Sequence, residues 1–273
     1  MSKVNRNYKA SVFTHLFCDP EKERGLYNAF SNVQYPPGTS VVDYTLTDVL
    51  YKDRVNDLAF TVDNKLVCFF EGQSTINENM ALRFFVYSGR VYEKLIINKA
   101  LYSEELVKIP TPEYFVLYNG VAPFPEKKVY LLSDSFKTKP DGGNPLELIV
   151  TAYNVNAGYN EEIVRKDDNL YGYVTLVAKV RENEQNGMER ARSVEKAIKE
   201  CIREGILMEY LESNASEVIN MLFQEWNWDD ARAVWEEEAE KRNDAKWQSV
   251  VAGKDAEIAE LRAQLKEGLA PKQ

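Results

Sequence analysis

Two carboxylates and an amide stand out for what they could do together. Asp57 precedes a β-rich run, Leu58 to Val62, and Glu71 and Gln73 follow a second, Leu66 to Phe70. Between the runs lies Asp63-Asn64-Lys65, whose Asp and Asn suit a tight hairpin turn. Residues two apart in a strand share a face, so Glu71 and Gln73 point the same way. A short turn brings Asp57 opposite the end of the second run. Acidic side chains paired this way, with no His beside them, are hard oxygen ligands suited to Mg²⁺. The same residues also fit a plainer reading, with Asp57 at a strand edge and Glu71 as a solvated strand end.

The rest of the composition narrows the chemistry. A single histidine, His15, rules out a multi-histidine zinc site and argues against a Ser-His-Asp triad. Its setting, Val12 to Phe17, has helical apolar spacing, so a structural role is expected. Cys18, Cys68 and Cys201 lie far apart without metal-ligand spacing and read as reduced, buried thiols of a cytoplasmic protein. No run is long and apolar enough to span a bilayer, and residues 1–10 lack an apolar signal core, so no membrane partner is expected.

The net charge of −9 is unevenly spread. Residues 1–100 carry 12 lysines and arginines against 11 acids, residues 101–185 carry 9 against 13, and residues 186–273 carry 13 against 19. The part that holds the candidate site is near neutral, which leaves room for a local basic rim and a nucleic-acid partner.

The elements that must position these residues follow from periodicity. Val12, Phe13, Leu16 and Phe17 mark a first amphipathic helix. Asp19-Pro20, a cap with proline at the first helical position, opens a second that buries Leu26, Tyr27 and Phe30. Val41 to Leu50 alternates loosely, as a strand with a short helical turn. After the hairpin, Asn77 to Asn98 repeats Met80, Phe84, Tyr87, Val91 and Leu95 at helical spacing, with Arg83 and Arg90 placed to reach a phosphate or to pair with Glu. Tyr114 to Gly120 is a continuous apolar run, as in a strand covered on both faces, and Pro145 to Asn154 reads as another. Between them, Asp134 to Asn144 reads as an exposed loop. Glu161 to Arg181 returns to helical spacing. This order predicts a compact α/β domain over residues 1–185.

Beyond Asn186-Gly187, residues 186–240 read as a helical C-terminal region. Residues 241–273 read as a charged helix or short coiled coil, with Val251, Ile258, Leu261 and Leu265 as a seam broken by Lys254 and a disordered end. The seam suits an oligomerisation helix, and with it a homo-oligomer, or a packing helix; a frayed charged tail is the plainer reading. Trp226, Trp228, Trp235 and Trp247 are expected in a core or an interface.

The run Asn56-Asp57 followed by Glu71-Gly72-Gln73-Ser74-Thr75-Ile76-Asn77-Glu78-Asn79-Met80-Ala81-Leu82-Arg83 closely resembles the signature of the recombination-promoting nuclease family. That family, also described as transposase-like, belongs to the PD-(D/E)xK nuclease superfamily. Asn7 to Phe13, Tyr153 to Asn156, Val177 to Arg181 and Trp228 to Ala231 extend the resemblance over residues 7–240.

The resemblance implies a restriction-endonuclease-like core, a mixed sheet flanked by helices, and a Mg²⁺-dependent DNA endonuclease of low sequence specificity, with Mn²⁺ as a substitute ion. Its links are to recombination or mobile elements. The family pattern implies Asp57 and Glu71 as metal ligands helped by the backbone carbonyl of Gly72. Gln73 stands where the superfamily usually has lysine; an amide cannot supply charge or act as a base, so it is expected to orient the attacking water. Lys9 and Arg83 match the family pattern and are expected on the DNA backbone.

Two other readings stay open: a catalytically weak binding or assembly module that oligomerises through its helical tail, and a nuclease acting on RNA. The family also implies a regulatory partner, a short C-terminal product of the same gene. Met188 is a candidate internal start, although an ordinary surface methionine is the favoured explanation.

Overall fold

The computed structural model describes residues 11–46, 57–96, 101–138 and 143–223, with the single helical positions Trp247 and Lys254. The chain divides into two compact units, Met1–Glu225 and Trp226–Gln273. The tryptophans 226, 228 and 235, and the seam from Val251 to Leu265, lie outside the described residues.

Six strands form one mixed sheet in the order β1-β2-β3-β4-β6-β5: β1 (Val41–Asp43), β2 (Leu58–Val62), β3 (Leu66–Gln73), β4 (Thr111–Tyr118), β5 (Lys127–Leu131) and β6 (Ile149–Asn154). β3, β4 and β6 run parallel, while β1, β2 and β5 pair antiparallel with their neighbours. The helices are α1 (Val12–Leu16), α2 (Pro20–Phe30), α3 (Met80–Leu95), α4 (Glu161–Val164), α5 (Asp168–Gln185), α6 (Arg190–Arg203) and α7 (208–223). The protein is thus α/β, a mixed sheet flanked by helices.

β3 lies at the centre, and its paired phenylalanines show how the two faces are filled. Phe69 meets Phe84 of α3 and Tyr114 on one side. Phe70, one residue on and so turned to the other side, stacks on Phe115 with ring centroids 4.6 Å apart and meets Phe30 of α2. A strand buried on both faces reads as continuous apolar sequence, which is why β4 is legible as it is. β6 differs from expectation: Val150, Ala152 and Asn154 are buried, while Ile149 is exposed and Thr151 and Tyr153 are half-buried.

Three further elements depart from the sequence reading. β5 is an edge strand of mixed exposure, Lys-Lys-Val-Tyr-Leu, whose pattern carries little period. The helix expected from Glu161 to Arg181 is two, because Asp167 caps α5 by accepting from the Leu170 N–H at 2.7 Å. The loop expected from Asp134 begins inside a single 3₁₀ turn, Leu132–Ser135.

Residues 186–223 belong with the first unit because they have apolar faces to bury. Val194, Ala197, Ile198 and Cys201 of α6 and Leu211, Val218 and Leu222 of α7 are buried. His15 ties α1 to α7: its Nδ1 lies 2.8 Å from the Tyr210 hydroxyl and its Nε2 3.5 Å from Glu217. The three cysteines are free, and Cys18 is exposed rather than buried, since it sits past the end of α1. Among the described residues no helix is long and apolar enough to cross a membrane.

Candidate functional site

The hairpin sets the site. Asp63 and Asn64 both adopt φ of 52°, the left-handed region that Asp and Asn tolerate better than most side chains. The turn puts Leu58 across from Phe70. Asp57 stands just before β2, and its charge is close enough to Glu71 to push that carboxyl up. Asp57 Oδ2 accepts the backbone N–H of Gly72 at 2.8 Å.

Glu71 is 3% exposed. Its Oε1 accepts from Arg83 Nη2, an ion pair reaching across from the first turn of α3. Its Oε2 is buried and has no hydrogen-bond partner. Burial pushes the Glu71 carboxyl up, to about 8, and the neighbouring Asp57 charge adds to this while Arg83 opposes it. A buried acid with one oxygen unanswered is costly unless something compensates it.

Arg83 gathers the cluster. Besides Glu71, its Nε donates to the Tyr87 hydroxyl at 3.2 Å, one helical turn along α3. With the Gln73 amide turned to satisfy both neighbours, Gln73 Oε1 accepts from Arg83 Nη1 at 2.7 Å and its nitrogen donates to the Thr75 carbonyl at 3.2 Å. Arg83 therefore lies inside the acidic cluster, a third exposed, rather than out on a rim. In sequence Tyr87 is legible only as an apolar position of α3; its spacing of four from Arg83 is the one signal of the contact. Lys9 lies outside the described residues.

The arrangement can hold a cation. Two carboxylates sit together at the carboxyl end of a parallel strand, one of them with a buried oxygen unpartnered. Hard oxygens of this kind suit Mg²⁺ or Mn²⁺. Among the described residues no group of three or more His, Cys, Asp or Glu is gathered for a metal, so any further donor would be of another type, such as the Gly72 carbonyl.

Fold and cluster together define an α/β protein with an acidic, arginine-braced centre at the lip of its sheet. In comparisons with known proteins, the chain matches no family model, no curated protein and no solved structure.

Proposed function

We propose that this chain is a Mg²⁺-dependent endonuclease of low sequence specificity acting on DNA, with a PD-(D/E)xK core and a link to recombination or mobile elements. The observation that carries the reading is the nearness of Asp57, held on the Gly72 N–H, to the buried Glu71, whose Oε2 lacks a partner. The order of elements agrees with it: a hairpin ending in the acidic lip, then α3, then a parallel strand.

Asp57, Glu71 and the Gly72 carbonyl would hold the ion. When bound, a divalent ion offsets the charge that builds on the scissile phosphate and acidifies a water. The remaining work falls to the chain itself. Arg83 keeps Glu71 fixed and steadies the Gln73 amide. Gln73 spends one N–H on Thr75, and the amide's second hydrogen is suited to orienting a water. A guanidinium held beside the reacting centre also favours an anionic transition state.

The test is cleavage of supercoiled plasmid by the full-length chain across a metal panel, with single-stranded RNA digested in parallel. Mg²⁺- or Mn²⁺-dependent nicking that Asp57→Ala abolishes is the expected result. Cleavage unchanged in Asp57→Ala would remove the assignment. Preferential digestion of the RNA would keep the chemistry and change the substrate.

A further inference from the structure

At the same lip, on the other face of the sheet, a second polar group is built around Arg181. Phe13 marks that face: a Cβ on Gly72 would stand 3.5 Å from Asp57 Oδ2 and 3.6 Å from the Phe13 ring, so the Asp57 carboxylate borders this face too, and the ring lies 5.6 Å from that of Tyr173 on α5. Glu71 and Gln73, flanking Gly72, point the opposite way. The backbone N–H of Asn119 donates to the Gln73 carbonyl at 2.9 Å, so the end of β4 is hydrogen-bonded directly to the catalytic strand.

Arg181 reaches this point from α5. Its Nη1 donates to Asn156 Oδ1 at 2.8 Å, and its Nη2 donates to the Asn119 carbonyl. Asn156 spends both of its amide hydrogens inward, on the Gly120 carbonyl at 3.0 Å and on Asn154 Oδ1 at 2.9 Å. It therefore serves as a clamp that orients the guanidinium. Asn119 donates one amide hydrogen to the Tyr173 hydroxyl at 2.7 Å, which leaves it a second. These side chains and Val177 line a recess of about 20 Å³.

Size and chemistry decide what such a recess accepts. A water-sized group needs about 10–15 Å³, so one oxygen fits and a nucleobase does not. A planar guanidinium with a neutral amide donor beside it matches an anionic phosphate oxygen. We propose that the recess takes an oxygen of a nucleic-acid backbone phosphate next to the one that is cut, with Arg181 as the anchoring cation. This rests on the endonuclease reading and assigns part of its substrate contact. A backbone contact fixes the position of a duplex and reads no bases, which agrees with low sequence specificity.

The experiment uses the full-length chain carrying Asp57→Asn and a short duplex DNA without added metal, with binding titrated against salt. Arg181→Gln is expected to weaken binding about tenfold and to lower the slope of log affinity on log salt by about one, the loss of one phosphate contact. Arg181→Lys keeps the slope. Ala178 also lines the recess, and Ala178→Leu, which fills it without removing any of the bonds above, weakens binding while thermal melting confirms the fold. In the chain with Asp57 intact, Arg181→Gln raises KM and leaves kcat at saturating DNA unchanged.

If that chain binds and cuts DNA while Arg181→Gln alters neither affinity nor salt slope, the inference is overturned and the endonuclease reading stands. If the chain cuts no nucleic acid, both fall. Inorganic phosphate bound in an Arg181-dependent way, with DNA affinity unmoved, overturns the backbone assignment in favour of a free anion.

Discussion

The carboxylate of Asp57 closes on the backbone N–H of Gly72 at 2.8 Å, so the acid at the mouth of β2 grips the residue that separates Glu71 from Gln73. Asp57 thereby has two separable properties, its charge and its hydrogen bond. Asp57→Asn retains an oxygen for the Gly72 N–H and loses the charge; Asp57→Ala loses both. Metal-dependent cleavage should vanish in each. Asp57→Ala should also lose about 1–2 kcal/mol of stability, the cost of leaving the Gly72 N–H without its acceptor, and Asp57→Asn should lose less. Urea unfolding of the two variants beside the parent measures the difference, and equal midpoints for Asn and Ala would show that the bond does not hold the lip.

Arg83 and Glu71 should behave as one unit. Removing the guanidinium takes away the one partner that favours the charged form of Glu71, so the buried acid must take up a proton, and Arg83→Met should cost about 2–3 kcal/mol, less than a fully buried pair because Arg83 is a third exposed. Adding Glu71→Gln should recover much of that loss. A double-mutant cycle by chemical denaturation reads the coupling; simple additivity would mean that the two residues are neighbours without energetic consequence.

Gly120 is a packing constraint on the same lip. A Cβ there would run into the Ser74 carbonyl and the Tyr118 ring. Ser74 follows Gln73, and its obstructing atom is backbone, which cannot swing aside. Gly120→Ala should destabilise the protein by about 2–3 kcal/mol, the usual scale of overpacking. Thermal melting tests this, with an unshifted transition as the contrary result.

Glu23 on α2 should make stability fall as pH rises. It is 1% exposed, its Oε2 has no hydrogen-bond partner, and burial, with smaller contributions from Asp43 and Asp19, pushes its carboxyl from 4.5 up to about 9. Below 4.5 the folded and unfolded chains both hold the proton, and Glu23 contributes no pH dependence. Between 4.5 and about 9 the unfolded chain releases it while the folded chain keeps it, so each pH unit costs up to about 1.4 kcal/mol. Glu23→Gln removes this dependence and should stabilise the protein at pH 8 by an amount on the order of a few kcal/mol. Urea midpoints at pH 5, 7 and 9 for parent and variant decide it: parallel profiles would show that Glu23 ionises normally in the fold.

Short-range pattern was enough for the hairpin and for α1, α2 and α3. Strand faces repeat every two residues, helix faces every three or four, and turn chemistry is local, so each signal sits within a few residues of what it governs. Where a local signal was weak or overridden, the reading failed. β5 is an edge strand with little alternation, the Asp167 cap interrupts an apolar repeat that continues past it, and the apolar stripes of α6 and α7 gave no sign of where they would be buried.

Partners distant in the chain were decided by the fold alone. Arg83 carries no mark in sequence that assigns it to Glu71 and Gln73, and Arg181 meets residues 25 and 62 positions away. Sheet order determines these encounters: laying β3, β4 and β6 side by side brings three strand ends to one lip, where α3 approaches from one face and α5 from the other. Residue type and spacing therefore determine which groups are able to do chemistry here. Which of them meet depends on long-range strand pairing, whose register and neighbours are chosen by burial of the whole sheet.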